Sequence, residues 1–130
     1  MSFGIKRTPG DAAFSDYIRY FYDGVCQKCK SQNEIFSQGY HCSHFHGRGN
    51  KSVRFDPDNA VGLCAKCHFS LGGNPHEHKE FFFNHLGEEK YDALVRRKNT
   101  PHPGKVDDKA MKKKFKIMLE ELKQIRGGLR

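Results

Sequence analysis

With 130 residues, 36% hydrophobic side chains and no tryptophan, the chain has room for one small domain with a lean core. It contains no run of eighteen apolar residues, which excludes a membrane-spanning helix, and Met1 to Gly10 lacks the apolar h-region of a secretory signal. A formal charge of +8 and a pI of about 9.3 favour a polyanionic partner, because cations that neutralise phosphates release counterions, with plain solubility as the alternative reading of the charge.

In chain order, Thr8 and Pro9 predict the N-cap and first turn of a helix. Ala13, Tyr17 and Tyr20 or Phe21 share one face of it, Phe14 and Ile18 extend that face, and Asp23-Gly24 ends it. Val25 to Lys30 then reads as a tight knuckle around Cys26 and Cys29. A strand is expected from Tyr40 to Phe45, a loop at Gly47 to Asn50, a second strand at Ser52 to Phe55 and a turn at Asp56-Pro57-Asp58-Asn59. Ala60 to Leu63 leads into a second knuckle, Cys64-Ala65-Lys66-Cys67. A helix begins near Cys67 and stops by Gly72-Gly73.

Asn74 and Pro75 open a further helix that runs to about Leu86 and is closed by Gly87, and Glu88 to Arg97 forms a shorter one. Asn99 to Gly104, with Pro101 and Pro103, is a linker. These signals divide the chain into a domain over 1–100 and a linker with a basic helix over 101–130. In that last helix, Lys105 to Ile125, the residues Met111, Phe115, Met118, Leu122 and Ile125 form an apolar stripe, which either covers its own domain or makes a homodimer. Its other side carries Lys112, Lys113, Lys114 and Lys116, suited to phosphate contact or simply to solvent.

Two C-x2-C pairs suit a reducing compartment and tetrahedral thiolate coordination of one zinc ion by Cys26, Cys29, Cys64 and Cys67. The βαβ setting of a redox-active C-x2-C is absent. Cys42 is left over as a spare thiol. Between and beside the knuckles, His44, Asn59 and His68 read as H-x14-N-x8-H. Taken singly these are a half-buried histidine, a turn residue and a helix cap or zinc ligand; the spacing between two knuckles makes them a set. A neutral imidazole suits both proton abstraction and metal ligation. His46, two residues beyond His44, is the next candidate for a metal or phosphate contact, whereas His76 and His78 are expected in solvent. Arg48 and Arg54 are candidate phosphate clamps, since a guanidinium matches two oxygens at once.

From Asp11 to about Asn99 the chain resembles the HNH endonucleases of phages and prophages, close to the NinG-like recombination proteins. The resemblance is carried by Phe14-Ser15-Asp16-Tyr17-Ile18-Arg19, Cys26-Gln27-Lys28-Cys29, Cys42-Ser43-His44-Phe45-His46-Gly47-Arg48, Arg54-Phe55-Asp56-Pro57-Asp58-Asn59-Ala60, Leu63-Cys64-Ala65-Lys66-Cys67-His68 and Leu86 to Leu94. It implies an α+β fold: a zinc-stapled ββα-metal (treble-clef) core with flanking helices and a C-terminal amphipathic helix. It implies a catalytic divalent ion, usually magnesium or manganese with zinc or nickel in its place at times, and a DNA substrate, duplex or branched. Such a protein would work in the cytoplasm of a bacterial host. His44 would be the general base, Asn59 the strut of the hairpin loop, His68 a metal ligand and the four paired thiols the zinc ligands.

In one respect the chain departs from that pattern. Many HNH enzymes place Asp or His just before the base as a metal ligand, and here that position is Ser43, a poor ligand for magnesium. His46, Cys42 or Asp56 would have to compensate, His46 first. A zinc-dependent nucleic-acid-binding module without catalysis is the competing expectation, and an interaction protein presenting its last helix is a third.

Overall fold

The computed structural model describes residues 6–128, so the expected lack of a leader at Met1 to Gly10 falls partly on residues outside the described ones. The chain opens with α1 (Pro9–Phe21), followed by an antiparallel hairpin of β1 (Tyr40–His44) and β2 (Ala60–Cys64). Four helices complete it: α2 (Ala65–Gly72), α3 (Pro75–Leu86), α4 (Glu88–Lys98) and α5 (Asp108–Gly128). The class is α+β, with a two-stranded sheet among the described residues. No described helix is long and apolar enough to cross a membrane.

Local chemistry sets the helix starts. Thr8 and Asp11 form a reciprocal capping box at α1: the Asp11 amide donates to Thr8 Oγ1 at 3.2 Å and the Thr8 amide to Asp11 Oδ2 at 2.9 Å. Asn74 caps α3 by accepting from the Glu77 amide, with Pro75 in the first turn. Gly87, at φ 84°, joins α3 to α4.

The second strand differs from expectation. Ser52 to Phe55 is not extended; Lys51–Val53 is a 3-10 turn whose amides bond locally, Val53 to the Asn50 carbonyl and Asp56 to that of Val53. The partner of β1 is Ala60–Cys64, in a register of Tyr40 with Cys64, Ser43 with Val61 and His44 with Ala60. The buried run Ala60-Val61-Gly62-Leu63 outcompetes the shorter Val53-Arg54-Phe55 alternation, because it packs on both faces while Arg54 cannot be sunk without a partner.

That register gives the hairpin two faces, since alternate residues point oppositely. One face carries Val61 and Leu63, packed with Cys26, Cys67, Leu71 of α2 and Phe82 of α3. The opposite face carries Ala60, packed with Ala13, Phe14 and Ile18 of α1 and Phe115 of α5. Phe115 meets Phe14 edge-on at 4.8 Å. Gly62 lets the Tyr40 ring lie across β2: a Cβ there would stand 1.8 Å from the Tyr40 hydroxyl, which donates to the Val25 carbonyl at 2.9 Å.

The C-terminal helix covers its own domain. Asp108 accepts from the Thr8 hydroxyl and, at 3.1 Å, from the Gly10 amide, while Arg126 donates to the Tyr20 and Phe21 carbonyls at the end of α1. Gly10 permits this approach, because a Cβ would stand 2.4 Å from the Asp108 carboxylate. The inner part of the predicted stripe is used: Phe115 is buried and Met111 and Met118 pack beside it, whereas Ile125 is 62% exposed.

Candidate metal centre and active site

The two knuckles converge. Ligand atoms of Cys26, Cys29, Cys64 and Cys67 all lie within 4.8 Å of one another, and no cysteine is in a disulfide. The Cys29 and Cys64 sulfurs are 3.8 Å apart. A tetrahedron with metal–sulfur arms of about 2.3 Å has edges of roughly 3.8 Å, so the donor set and its spacing fit zinc. The first knuckle is tied to the hairpin by the Gln27 amide, which donates to the Gly62 carbonyl at 3.0 Å, and the second is the N-terminus of α2.

The surroundings favour thiolate at Cys26 and Cys29. At Cys26, burial works against the anion but the amides of Cys29, Cys64 and Lys28 outweigh it and hold the thiol below its ordinary value. Hydrogen bonds from Ser31 bring Cys29 down to about 6. Burial pushes Cys67 up to about 12, and hydrogen bonds from the neighbouring cysteines add to the rise. Cys42 stands apart against the α1 core, and burial pushes its thiol up to about 12 as well, so it is neutral and inert.

Asn59, fully buried, organises the chain after β1. Its Oδ1 accepts from the His46 amide at 2.9 Å, and its Nδ2 donates to the carbonyls of His46 at 2.9 Å and Val53 at 3.1 Å. Its own carbonyl accepts from the Phe45 amide at 2.8 Å. The side chain thus acts as one more rung of the ladder and fixes the backbone two residues beyond His44.

His44 lies on the α1 face, 5.5 Å from the Phe14 ring. Burial pushes its pKa down to about 4, against the pull of the Arg54 carbonyl and of Asp11, so the ring is neutral at pH 7. Its Nε2 is closed off from solvent and has no hydrogen-bond partner. His68, in the first turns of α2, lies on the other face: its Nδ1 is 3.0 Å from the Ser43 hydroxyl, and its ring is 4.8 Å from that of His41. The hairpin therefore stands between His44 and His68, whose rings meet different partners, Phe14 for one and Ser43 and His41 for the other. Ser43 and His44 are nevertheless consecutive on β1, which no third described strand covers.

His46 is half-buried with its ring 4.3 Å from that of Phe45, and its Nε2 is also unpartnered. Burial lowers its pKa to about 4, with the Lys98 and His78 charges adding to the effect. His78 was expected in solvent. Instead it is half-buried, 5.3 Å from both Phe45 and Phe82, with its own Nε2 closed off and unpartnered. The signal was present: His78 and Phe82 are four apart on α3 and share a face. Among the described residues only the four sulfurs form a metal-binding group within 4.8 Å, so His46 and His68 do not stand at ligand spacing with a third donor.

The two candidate phosphate clamps meet at Asp11. Arg54 forks onto it, Nε to Oδ1 at 3.0 Å and Nη2 to Oδ2 at 2.5 Å, and Arg48 Nη1 lies 3.4 Å from Oδ2. Burial opposes the charge on Asp11, but Arg54 and the Thr8 amide and hydroxyl prevail and hold its pKa at about 2. Asp11 was missed as part of this cluster, although Thr8-x-x-Asp11 reads as a capping box. Asp56, a candidate compensating ligand, is taken by Arg97 at 2.6 Å and by the Asp58 amide at 3.0 Å. On α5, Lys113, Lys114 and Lys116 are exposed and Lys112 is half-exposed.

No curated protein and no solved structure matches the chain. A family model described as Bacteriophage Lambda NinG protein matches residues 8–126, a span that takes in α1, the hairpin, both knuckles and nearly all of α5. With its four-cysteine centre and its α1–α5 pairing inside that span, the chain belongs to the phage lambda NinG family.

Proposed function

We propose that the chain is a metal-dependent endonuclease of the HNH type that hydrolyses DNA phosphodiester bonds, with a treble-clef core and a role in phage recombination. The observation that carries this reading is the clamp of Asn59 on the backbone at His46, beside a neutral His44 whose Nε2 has no other employment. In this reading His44 accepts the proton of the attacking water. His68 and His46 would be the residues to hold the catalytic divalent ion, and the Ser43 hydroxyl, 3.0 Å from His68 Nδ1, would orient His68. The ion, magnesium or manganese in most HNH enzymes, would stabilise phosphate charge and the leaving oxygen.

Because His44 and His68 face opposite sides of the hairpin, the scissile phosphate belongs at the open edge of β1, where side chains from both faces reach it. The Nε2 of His44 is closed off from solvent in the free protein, so DNA binding must uncover it. Arg48 and Arg54 are the candidate phosphate clamps, and Lys112, Lys113, Lys114 and Lys116 supply further contacts.

A second reading, a zinc-dependent nucleic-acid-binding module without catalysis, is favoured by that same closure and by the hydroxyl at Ser43. Cleavage of supercoiled plasmid and of four-way junction DNA separates the two. A nuclease cleaves in at least one divalent metal and loses roughly 100-fold or more in rate on His44→Ala while DNA binding persists. A chain that binds DNA and never cleaves it, whichever of magnesium, manganese, nickel or zinc is supplied, is the binding module.

A further inference from the structure

We propose that the trough between the 3-10 turn at Lys51–Val53, the end of α4 and the linker into α5 is a track for the sugar-phosphate backbone of a DNA strand, gripped by Lys51, Lys98, Lys105 and Lys114. The inference rests on the reading above only in taking DNA as the partner.

The first observation is shape. Two concave spaces, of about 480 and 430 Å3, lie side by side and share Lys51, Ser52 and His102 in their walls, so they form one trough. Its first half lies between residues 49–52 and residues 98–102. Its second half continues along residues 55–57 to residues 105–107 and the start of α5.

The second is charge. Lys51, Lys105 and Lys114 are exposed and Lys98 is half-buried, and among the described residues none of the four is in an ion pair. Two carboxylates also line the trough, and both are occupied. Asp56 is paired with Arg97 at 2.6 Å, and Asp107 caps α5 by accepting from the Ala110 amide at 3.0 Å. The field left over is positive. Like charges gathered in a concavity repel one another and focus that field, and a polyanion relieves both.

The third is rigidity and place. The Ser52 hydroxyl donates to the Lys98 carbonyl at 3.2 Å and so joins the two walls, while the Thr100 hydroxyl fastens the linker to the Arg96 carbonyl at 2.8 Å. Asn59 Nδ2 holds the carbonyls of His46 and Val53 together, so one buried amide sets both the turn after β1 and the wall of the trough. A surface already in place loses little freedom on binding. The trough begins at Gly49, one residue past Arg48, so a strand lying at the edge of β1 is offered a path into it. Lysines act on phosphate as point charges and do not read bases, so the grip is indifferent to sequence.

The test is fluorescence anisotropy of a labelled oligothymidylate with the full zinc-loaded chain over a range of salt concentrations. Each phosphate contact on a single strand contributes about 0.7 to the slope of log K against log salt, so Lys51→Gln/Lys98→Gln/Lys105→Gln should flatten that slope by roughly 2. Lys79→Gln/Lys90→Gln, on α3 and α4 outside the trough, should keep the wild-type slope. A second arm uses the wild type alone and depends on no variant folding: acetylation of Lys51, Lys98 and Lys105, read by mass spectrometry, should fall severalfold when the oligothymidylate is added, and that of Lys79 and Lys90 should not. An unchanged slope in the triple variant, equal protection of all five lysines, or a wild type that does not bind the strand would overturn the proposal. Cleavage is not the readout: a chain that cuts DNA with no protection in the trough keeps the nuclease reading and loses this inference, and one that binds through the trough and never cuts does the reverse.

Discussion

The two faces of the hairpin are held by different physics. On one side, Val61 and Leu63 meet the knuckles, α2 and α3, and the joint is closed by four sulfurs at metal-binding distance. On the other, Ala60 and His44 meet α1 and α5 through an aromatic cluster around Phe14 and Phe115. Polar chemistry follows the same division: the histidines at 41, 46, 68 and 78 gather toward the thiolate side, whereas His44 sits alone among rings and the Asp11–Arg54 pair. A sheet of two strands has too little area to hold two layers by burial alone. A four-cysteine cluster placed to bind a metal on one side and a long C-terminal helix on the other supply what the sheet lacks, and each should be removable without the other.

The largest effect is expected on the thiolate side. Cys67→Ser removes a ligand from a centre whose metal contributes on the order of 10 kcal/mol to folding in small zinc domains. The variant should lose its zinc, measured by metal analysis, and its cooperative thermal transition. Retention of one zinc and a wild-type melt would mean that the four sulfurs are not what holds this face.

Phe115→Ala strikes the other face. The ring is fully buried, and truncation of such a side chain costs about 4 kcal/mol. Denaturant unfolding should show that loss while metal analysis still finds one zinc per chain. If zinc leaves with the aromatic ring, the two faces are one cooperative unit and the division drawn above is too sharp.

Asp11→Asn is a smaller and finer probe. The Asp11 carboxyl has a folded pKa of about 2 against an ordinary 3.8, so its charge stabilises the fold by about 2 kcal/mol above pH 4. That share disappears only as pH falls from about 4 to about 2. Between pH 8 and pH 5, where thiolates can hold zinc, the gap in unfolding free energy between wild type and variant should be constant. A gap that shrinks across that interval would assign the effect to a histidine and not to this carboxylate.

What was legible in the sequence was local. Thr8 with Pro9, Asn74 with Pro75, and Gly87 carry their own hydrogen-bonding or dihedral reasons, and the helix boundaries follow them closely. The cysteine spacing likewise announces its centre, because a knuckle is built within four residues. What was not legible is non-local. Which segment pairs with β1 depends on both faces being buried at once, and this favours Ala60–Cys64 over Ser52 to Phe55. The engagement of Arg54 with Asp11 joins residues 43 apart in sequence. The burial of His78 depends on how α3 lies against Phe45, which no short window contains. The side on which each histidine of the hairpin falls follows from register, and register is a property of the pair of strands.

Single-turnover cleavage of junction DNA by the wild type, His44→Ala, His68→Ala and the double variant tests most directly whether the two faces act on one phosphate at the edge of β1. The account predicts that each single variant loses roughly 100-fold or more, and that the double variant is scarcely slower than the worse single, as for groups that act as a unit. A wild-type rate in either single variant, with zinc content and DNA binding intact, would contradict it.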